Sequence, residues 1–229
     1  MKNILNEKPT DPLHARYLHA SRFIKKSDVK NKNILDIGCG FGWFEAEADR
    51  RGASKISSIE VTEKDLETAR KYLTDHKFRL QAGSALDLPY SNEEFDTVVA
   101  WEVLEHLPRG TEQKMFTEVN RVLKGKSVFY LSTPRLSLFS NILDPAWWLI
   151  GHRHYSVDFI KSMAEMTGFK VDELRIIGGW GTILWSLDMY FSKWVLRRRP
   201  IFSKKVYEWT DSEFEKDGFM TIYARLIKK

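Results

Sequence analysis

The sequence predicts an α/β fold: a doubly wound, mostly parallel sheet of seven strands with helices on both faces. Three observations carry that prediction. From residue 33 onward, short β-type runs alternate with stretches of helical apolar spacing, the pattern of successive βαβ units. The run FDTVVAW, Phe95 to Trp101, is nearly continuous in apolar residues, as a parallel strand covered on both faces must be. And in ILDIGCGFGWF the glycines Gly38, Gly40 and Gly42 follow the first strand directly, at the carboxyl end where an open α/β sheet receives its ligand.

The elements follow in order. NILDIGC is the first strand, and Trp43 to Arg51 a helix ending at Gly52. KISSIEV is the second strand, with a helix from Glu63 to Thr74 opening behind Thr62. FRLQAGS and FDTVVAW are the third and fourth strands. Met115, Phe116, Val119, Val122 and Leu123 have helical spacing, and Gly125 stops that helix. SVFYLSTP is the fifth strand, Ser156 caps a helix that runs to Gly168, and KVDELRIIGG and FMTIYARLI complete the seven. A helical stripe of Ile183, Leu184, Leu187, Tyr190, Phe191, Trp194 and Val195 is expected to pack on the sheet, leaving Trp185, Met189 and Leu196 on a second face.

The chain has 229 residues, 43% apolar and 29% charged, which suits one domain over 1–229. Within it, 1–32 forms a helical cover, and 134–155 and 180–215 are elements on the acceptor side. Cys39 is the lone cysteine, so no internal disulfide forms and a reducing compartment fits. The N-terminal MKNILNEKPTDP has no long apolar region, and no stretch approaches the roughly 18 apolar residues of a membrane span. A cytoplasmic location follows as the expectation. Net charge is +5, with basic residues scattered except between Arg197 and Lys205, where an anionic partner is suggested.

The glycine loop is not a phosphate loop of either familiar kind. It lacks the Gly-Lys-Ser/Thr ending of a Walker loop, and Trp43 stands near where a dinucleotide fingerprint needs its third glycine. Asp36 lies two residues before Gly38, and Glu60 ends the second strand, where a carboxylate reaches ribose hydroxyls. A carboxylate beneath the loop repels pyrophosphate and tolerates a ligand bearing an ammonium and a sulfonium. S-adenosylmethionine (SAM) has that chemistry.

Taken in sequence order, Asp36-x-Gly38-x-Gly40-x-Gly42, Glu60, AGSALDLPYSNEEFDTVVAWEVLEHL and LKGKSVFYLSTP resemble the motifs of class I SAM-dependent methyltransferases. The likeness is nearest to the subgroup called type 11, which includes ubiquinone-pathway enzymes, and it covers residues 34 to 168. It implies that Gly38, Cys39 and Gly40 form the floor under the methionine part, with Asp36 beneath. Glu60 holds the ribose, and Val61 covers one adenine face. Ser84, with the Ala85 backbone, stands where the family often has Asp at the adenine amine. Trp101 and Glu102 line the methionine side, and Arg16 or Tyr17 reaches the methionine carboxylate.

For the acceptor, the chain has AWEVLEHL where amine-directed enzymes of this fold carry Asn/Asp-Pro-Pro-Tyr, so oxygen or carbon acceptors are expected. The acceptor is small or lipid-like, not DNA. RNA ranks below it, since no basic stripe interleaves with exposed aromatics, and a non-catalytic SAM-binding protein is the remaining alternative. A base for a hydroxyl acceptor is sought among His106, His152 and His154. In GHRHYS, Arg153 is placed to bind an anionic group, or else Tyr155 and Ser156 merely dock and cap the next helix. Glu102, Glu105 and His106 at i, i+3 and i+4 of a short helix share one face, where relatives hold Mg²⁺; the residues also suit a packed, metal-free turn. The extra aromatics of 180–205, with Trp147, Trp148, Leu149 and Ile150, either roof an apolar acceptor pocket or meet a bilayer whose anionic lipid faces the arginines.

Overall fold

A computed structural model describes residues 7–144, 147–148, 151–198 and 204–229. Leu149, Ile150 and Arg199 fall outside them. Seven strands run β1 Asn33–Ile37, β2 Lys55–Glu60, β3 Phe78–Ala82, β4 Phe95–Trp101, β5 Leu123–Pro134, β6 Phe169–Ile177 and β7 Thr221–Lys228. Their order in the sheet is β3-β2-β1-β4-β5-β7-β6. β7 is antiparallel to both its neighbours and the other pairs are parallel, the expected mostly parallel sheet. Strand order reverses between β1 and β4, so a crevice opens at their carboxyl ends.

Helices α1 Ala15–Phe23 and α2 Trp43–Arg50 cover one face. Phe23, Ile34, Phe44, Ile56, Val99 and Tyr130 form the apolar layer beneath them. α3, Glu63–Tyr72, begins behind Thr62, whose hydroxyl accepts the Asp65 N–H, and α4 is Glu112–Val122. Leu35, Phe95, Phe116, Val119, Phe129 and Phe169 pack in the layer on the other face. α5 is Leu138–Leu143 and α6 Val157–Met166; α7, Trp180–Phe191, continues into a π-helical turn, Ser192–Leu196, and α8 is Lys204–Ser212.

Two expectations fail in register. α4 ends at Val122 rather than Gly125, because Leu123 already pairs with Phe95 and Gly125 lies inside β5. The stripe on α7 is rotated from the expected one. Ile183 is buried as expected and Leu184 and Tyr190 are half-buried, but Leu187, Phe191, Trp194 and Val195 are exposed while Trp185 and Met189 of the second face are buried. The cause is what fixes the start of the helix. The Glu213 carboxylate accepts the N–H groups of Gly179, Gly181 and Thr182 and the Thr182 hydroxyl, at 2.7–3.0 Å. That clasp at the positive end of the helix docks α7 on α8 and on the start of α1, where Ala15, Trp185 and Met189 meet Val206 and Tyr207. The π turn then breaks the 3.6-residue phase for everything beyond Ser192.

Candidate active site

The crevice at β1 and β4 holds a cleft lined by Gly38, Cys39 and Gly40, by Trp101, Glu102 and Ser132 at strand ends, and by Arg16 and Tyr17 of α1. Phe41, Trp43, Glu105, His106 and His152 complete it. The loop's shape follows from its glycines. Gly38 has φ +80°, and a Cβ there would meet Val103 Cγ2 at 2.6 Å. Gly40 has φ +56° and nothing within 4 Å of a Cβ position, so its backbone is open on that side. Gly40 N–H donates to Glu60 Oε1 and Val61 N–H to Glu60 Oε2, each at 3.0 Å, so one carboxylate fixes the loop to the end of β2.

The adenine side is less enclosed. Val61 is 77% exposed. Ser84 and Ala85 lie on the turn after β3, beside Glu60 through the Gly83 N–H to Glu60 carbonyl bond of 2.8 Å. The Ser84 hydroxyl accepts the Leu86 N–H at 3.1 Å. A neighbouring cavity carries Glu60, Gly40 and Phe41 outward to Lys64, Thr68 and Lys193.

Asp36 does not line the cleft. It is 1% exposed beneath the loop, against Glu45, which is fully buried and accepts the Ser58 hydroxyl at 2.5 Å. Burial, then the charge of Glu45, pushes Asp36 well above the carboxylate range. Burial pushes Glu45 up to about 7, with the Ser58 hydrogen bond acting the other way. Two carboxyls in contact out of water hold a proton between them. A group whose folded pKa is raised stabilises the fold below its unfolded pKa and loses that contribution as pH rises through the folded value. Glu45→Gln, which mimics the neutral acid, is therefore expected to raise stability at pH 8.5 by roughly 2 kcal/mol while changing little at pH 5. Thermal melts at the two pH values check it.

Arg16 is the central cation. Its guanidinium donates to Tyr17 OH at 3.2 Å and lies 5.7 Å from the centre of the Trp185 ring. Burial opposes its charge, but Tyr17 and Glu102 overcome that, and its pKa is raised. Burial also lifts Tyr17, to about 12, against the pull of Arg16.

The expected helical face of Glu102, Glu105 and His106 does not form. Glu102 adopts φ +55° outside any helix, and only one 3₁₀ turn, Leu104–His106, follows. The Ser132 hydroxyl donates to Glu102 Oε1 at 2.7 Å, and the Thr133 hydroxyl to Glu105 Oε2 at 3.1 Å. Burial raises both carboxyls above their ordinary range, Glu105 further under the charge of Glu102. Carboxyls tied to strand hydroxyls, in a place where burial opposes their charge, are poor ligands for Mg²⁺. Among the described residues no group of three or more His, Cys, Asp or Glu is arranged to hold a metal ion.

The hexapeptide GHRHYS divides its side chains. His152 faces His106 across the cleft, ring centres 4.4 Å apart and edge to face. Desolvation, with Arg16 and Arg153 next, lowers His106 to about 4, although part of its ring reaches solvent. Desolvation, then His106, lowers His152 to about 4. Both imidazoles are thus neutral at physiological pH. His154 does not join them. It is 8% exposed, with Nδ1 on Asn141 Oδ1 at 2.6 Å and Nε2 on Asp144 Oδ2 at 2.9 Å, so neither nitrogen is available as a base. Arg153 is not an anion site: it donates to Glu112 and to the carbonyls of Leu104 and Leu107. Tyr155 OH also donates to Leu104 carbonyl at 3.0 Å, and Ser156 caps α6. Segment 151–156 therefore staples the 3₁₀ turn in place and offers only His152 to the cleft.

A second cavity joins the first through Arg16, Glu102 and His152. Its walls are α5 (Ser140, with Asp144 just beyond), the inner face of α7 (Thr182, Trp185, Ser186, Met189, Tyr190) and Met220. The wall is built largely from the two segments expected on the acceptor side, 134–155 and 180–215, with Trp185 and Met189 of the second face of α7 turned to the cavity. Ser132 is marked in the sequence only as part of the strand-end LSTP.

Residues 34–126 match the family described as a methyltransferase domain. A ubiquinone biosynthesis O-methyltransferase of Rickettsia bellii (strain OSU 85-389) is 23% identical over 198 residues, 81% of this chain and 78% of that one. A sterol 24-C-methyltransferase of Candida albicans is 31% identical over 104 residues, 44% of this chain and 27% of that one. An S-adenosylmethionine-dependent methyltransferase from Mesorhizobium loti superposes with a TM-score of 0.64 at 18% identity, over 92% of this chain and 95% of that structure.

Proposed function

Since the chain is a class I SAM-dependent methyltransferase of the ubiquinone-pathway-like subgroup, we propose that it methylates a hydroxyl oxygen of a small, lipid-like acceptor. The observation that carries this reading is the neutral His106–His152 pair beside the glycine loop. The loop residues suit SAM: Gly40 leaves open backbone, and its N–H is held by the Glu60 carboxylate rather than offered to a phosphate. Bound SAM supplies a methyl group on a sulfonium.

The chain's own residues do the rest. Each Glu60 oxygen keeps a lone pair beyond its backbone bond, and those are left for ribose hydroxyls. Arg16 binds a carboxylate at the methionine end. Glu102, tied to Ser132, fixes the end of β4 at the cleft. His152 or His106 accepts the hydroxyl proton as the acceptor oxygen becomes nucleophilic, and Trp101, Trp185 and Met189 exclude water from that side. The base is His106 or His152, and not His154. An acceptor cavity with Arg16 as its cation and walls of Trp185, Met189, Tyr190 and Met220 suits an amphiphile better than an RNA backbone.

The same end of the molecule is assigned to an anionic bilayer. Leu138, Ile142 and Trp148 are 56–72% exposed near α5, and Leu187, Phe191, Trp194 and Val195 are 46–63% exposed on α7 and its π turn. Arg197 and Arg198 follow, exposed, and basic residues gain about 1 kcal/mol each near anionic lipid. No helix among the described residues is long and apolar enough to cross a membrane. In flotation assays the protein is expected to rise with phosphatidylglycerol vesicles and not with phosphatidylcholine, and Phe191→Ser with Trp194→Ser to stay below. Equal partition of the variant ends the membrane assignment.

Methyl-labelled SAM incubated in parallel with total lipid extract, RNA and protein tests the acceptor class. Base-stable label in the lipid fraction is the expected result; label in RNA alone overturns it.

A further inference from the structure

Among the described residues, nine buried side-chain nitrogen or oxygen atoms have no hydrogen-bond partner, and four belong to the two joined cavities: Trp101 Nε1, Glu105 Oε1, His152 Nε2 and Trp185 Nε1. A buried polar atom left unpaired costs about 1–3 kcal/mol, and native proteins keep few of them. Their concentration here is what a site completed by ligands would show. Three lie in the cleft or at its junction with the second cavity. Trp185 lies on the inner face of α7, in the wall of the second cavity, and it is 7% exposed. An indole N–H donates and cannot accept, so its missing partner has to be an acceptor atom.

We propose that Trp185 is a specificity-determining residue for the methyl acceptor, its Nε1–H donating to a second, non-methylated oxygen of that molecule. This rests on the methyltransferase reading above and extends it. The acceptor class is a hydroxyl compound carrying a carbonyl, ether or carboxylate oxygen on an otherwise apolar body. Arg16 holds the plane of the indole by lying over it, and Met189 packs in the same buried cluster, so the donor is preorganised. Of the other polar groups of this wall, Thr182 is engaged with Glu213, His154 with Asn141 and Asp144, and Ser140 with Ser137 and Arg135, while Ser186 and Tyr190 bring further hydroxyls to it. The indole N–H is the buried, rigidly held donor that α7 contributes to this wall without a partner.

The probes are 4-hydroxyacetophenone and 4-ethylphenol, which share a phenol ring and differ in the carbonyl oxygen. They are added to protein saturated with S-adenosylhomocysteine, and indole N–H resonances are followed by ¹⁵N NMR. The Trp185 signal is assigned by its loss in Trp185→Phe, a variant that keeps an aromatic ring under Arg16. The expected result is a downfield shift of that signal with the ketone and none with the alkyl phenol, with about tenfold tighter binding of the ketone. Trp185→Phe abolishes that preference and keeps its S-adenosylhomocysteine affinity, at a modest cost in melting temperature from the smaller buried ring. Equal or absent shifts with the two phenols, or a preference retained in Trp185→Phe, overturn the assignment. Failure to bind S-adenosylhomocysteine would instead indict the methyltransferase reading, so the two are separable.

Discussion

Glu60→Ala is expected to weaken SAM binding about 10²–10³-fold while leaving the protein folded. The side chain does two jobs with one carboxylate. Its oxygens take the N–H groups of Gly40 and Val61 at 3.0 Å, which sets the height of the loop over β2. Their remaining lone pairs point the site at ribose. Charge-assisted bonds are worth about 1.5–3 kcal/mol each, so losing two ligand bonds near the lower of those values gives the stated range. Glu60→Gln keeps the shape and one good acceptor, and is expected to cost about tenfold. Calorimetry with SAM checks both; near-native affinity in the alanine variant would remove Glu60 from the ribose.

His152→Ala is expected to lower kcat about 10²-fold or more, the ordinary contribution of a positioned base, with SAM affinity unchanged. His106→Ala has a similar effect, and the double variant is less than additive because the rings are in contact. The pH dependence has a defined sign. Both rings are held neutral to about 4, so protonation removes the base only at acid pH. Turnover is therefore flat from pH 6 to 8 and falls below about pH 5. Label transfer into lipid extract measures it. A titration centred near 6.5, or full turnover in both single variants, would place the base elsewhere.

Much of the fold was legible because it depends on local rules. Parallel strands buried on both faces read as apolar runs, Thr62 and Ser156 cap the helices they precede, and Gly38–Gly40–Gly42 marks a loop whose backbone has positive φ at all three glycines. Where a distant contact decides, the sequence misleads. Glu213 sets the rotation of α7 from a later turn of the chain, so Leu187, Phe191, Trp194 and Val195 face out while Trp185 and Met189 face in with Ile183. The Glu102–His106 spacing suggested a helix, but Ser132 and Thr133 hold the carboxyls and Glu102 turns the backbone left-handed. His152 and His154 are two residues apart and chemically alike; only the Asn141 and Asp144 partners, brought by α5 and the residue after it, remove His154 from the cleft. The carboxyls of Asp36 and Glu45 are likewise far from one another in role until β1 and α2 bury them together.

The most direct test of the central claim is calorimetric titration of folded protein with SAM and, separately, with NAD⁺. Saturable micromolar binding of SAM and no heat with NAD⁺ is the predicted result. Absence of SAM binding in protein whose melting curve is cooperative would contradict the account and leave the glycine loop as scaffold.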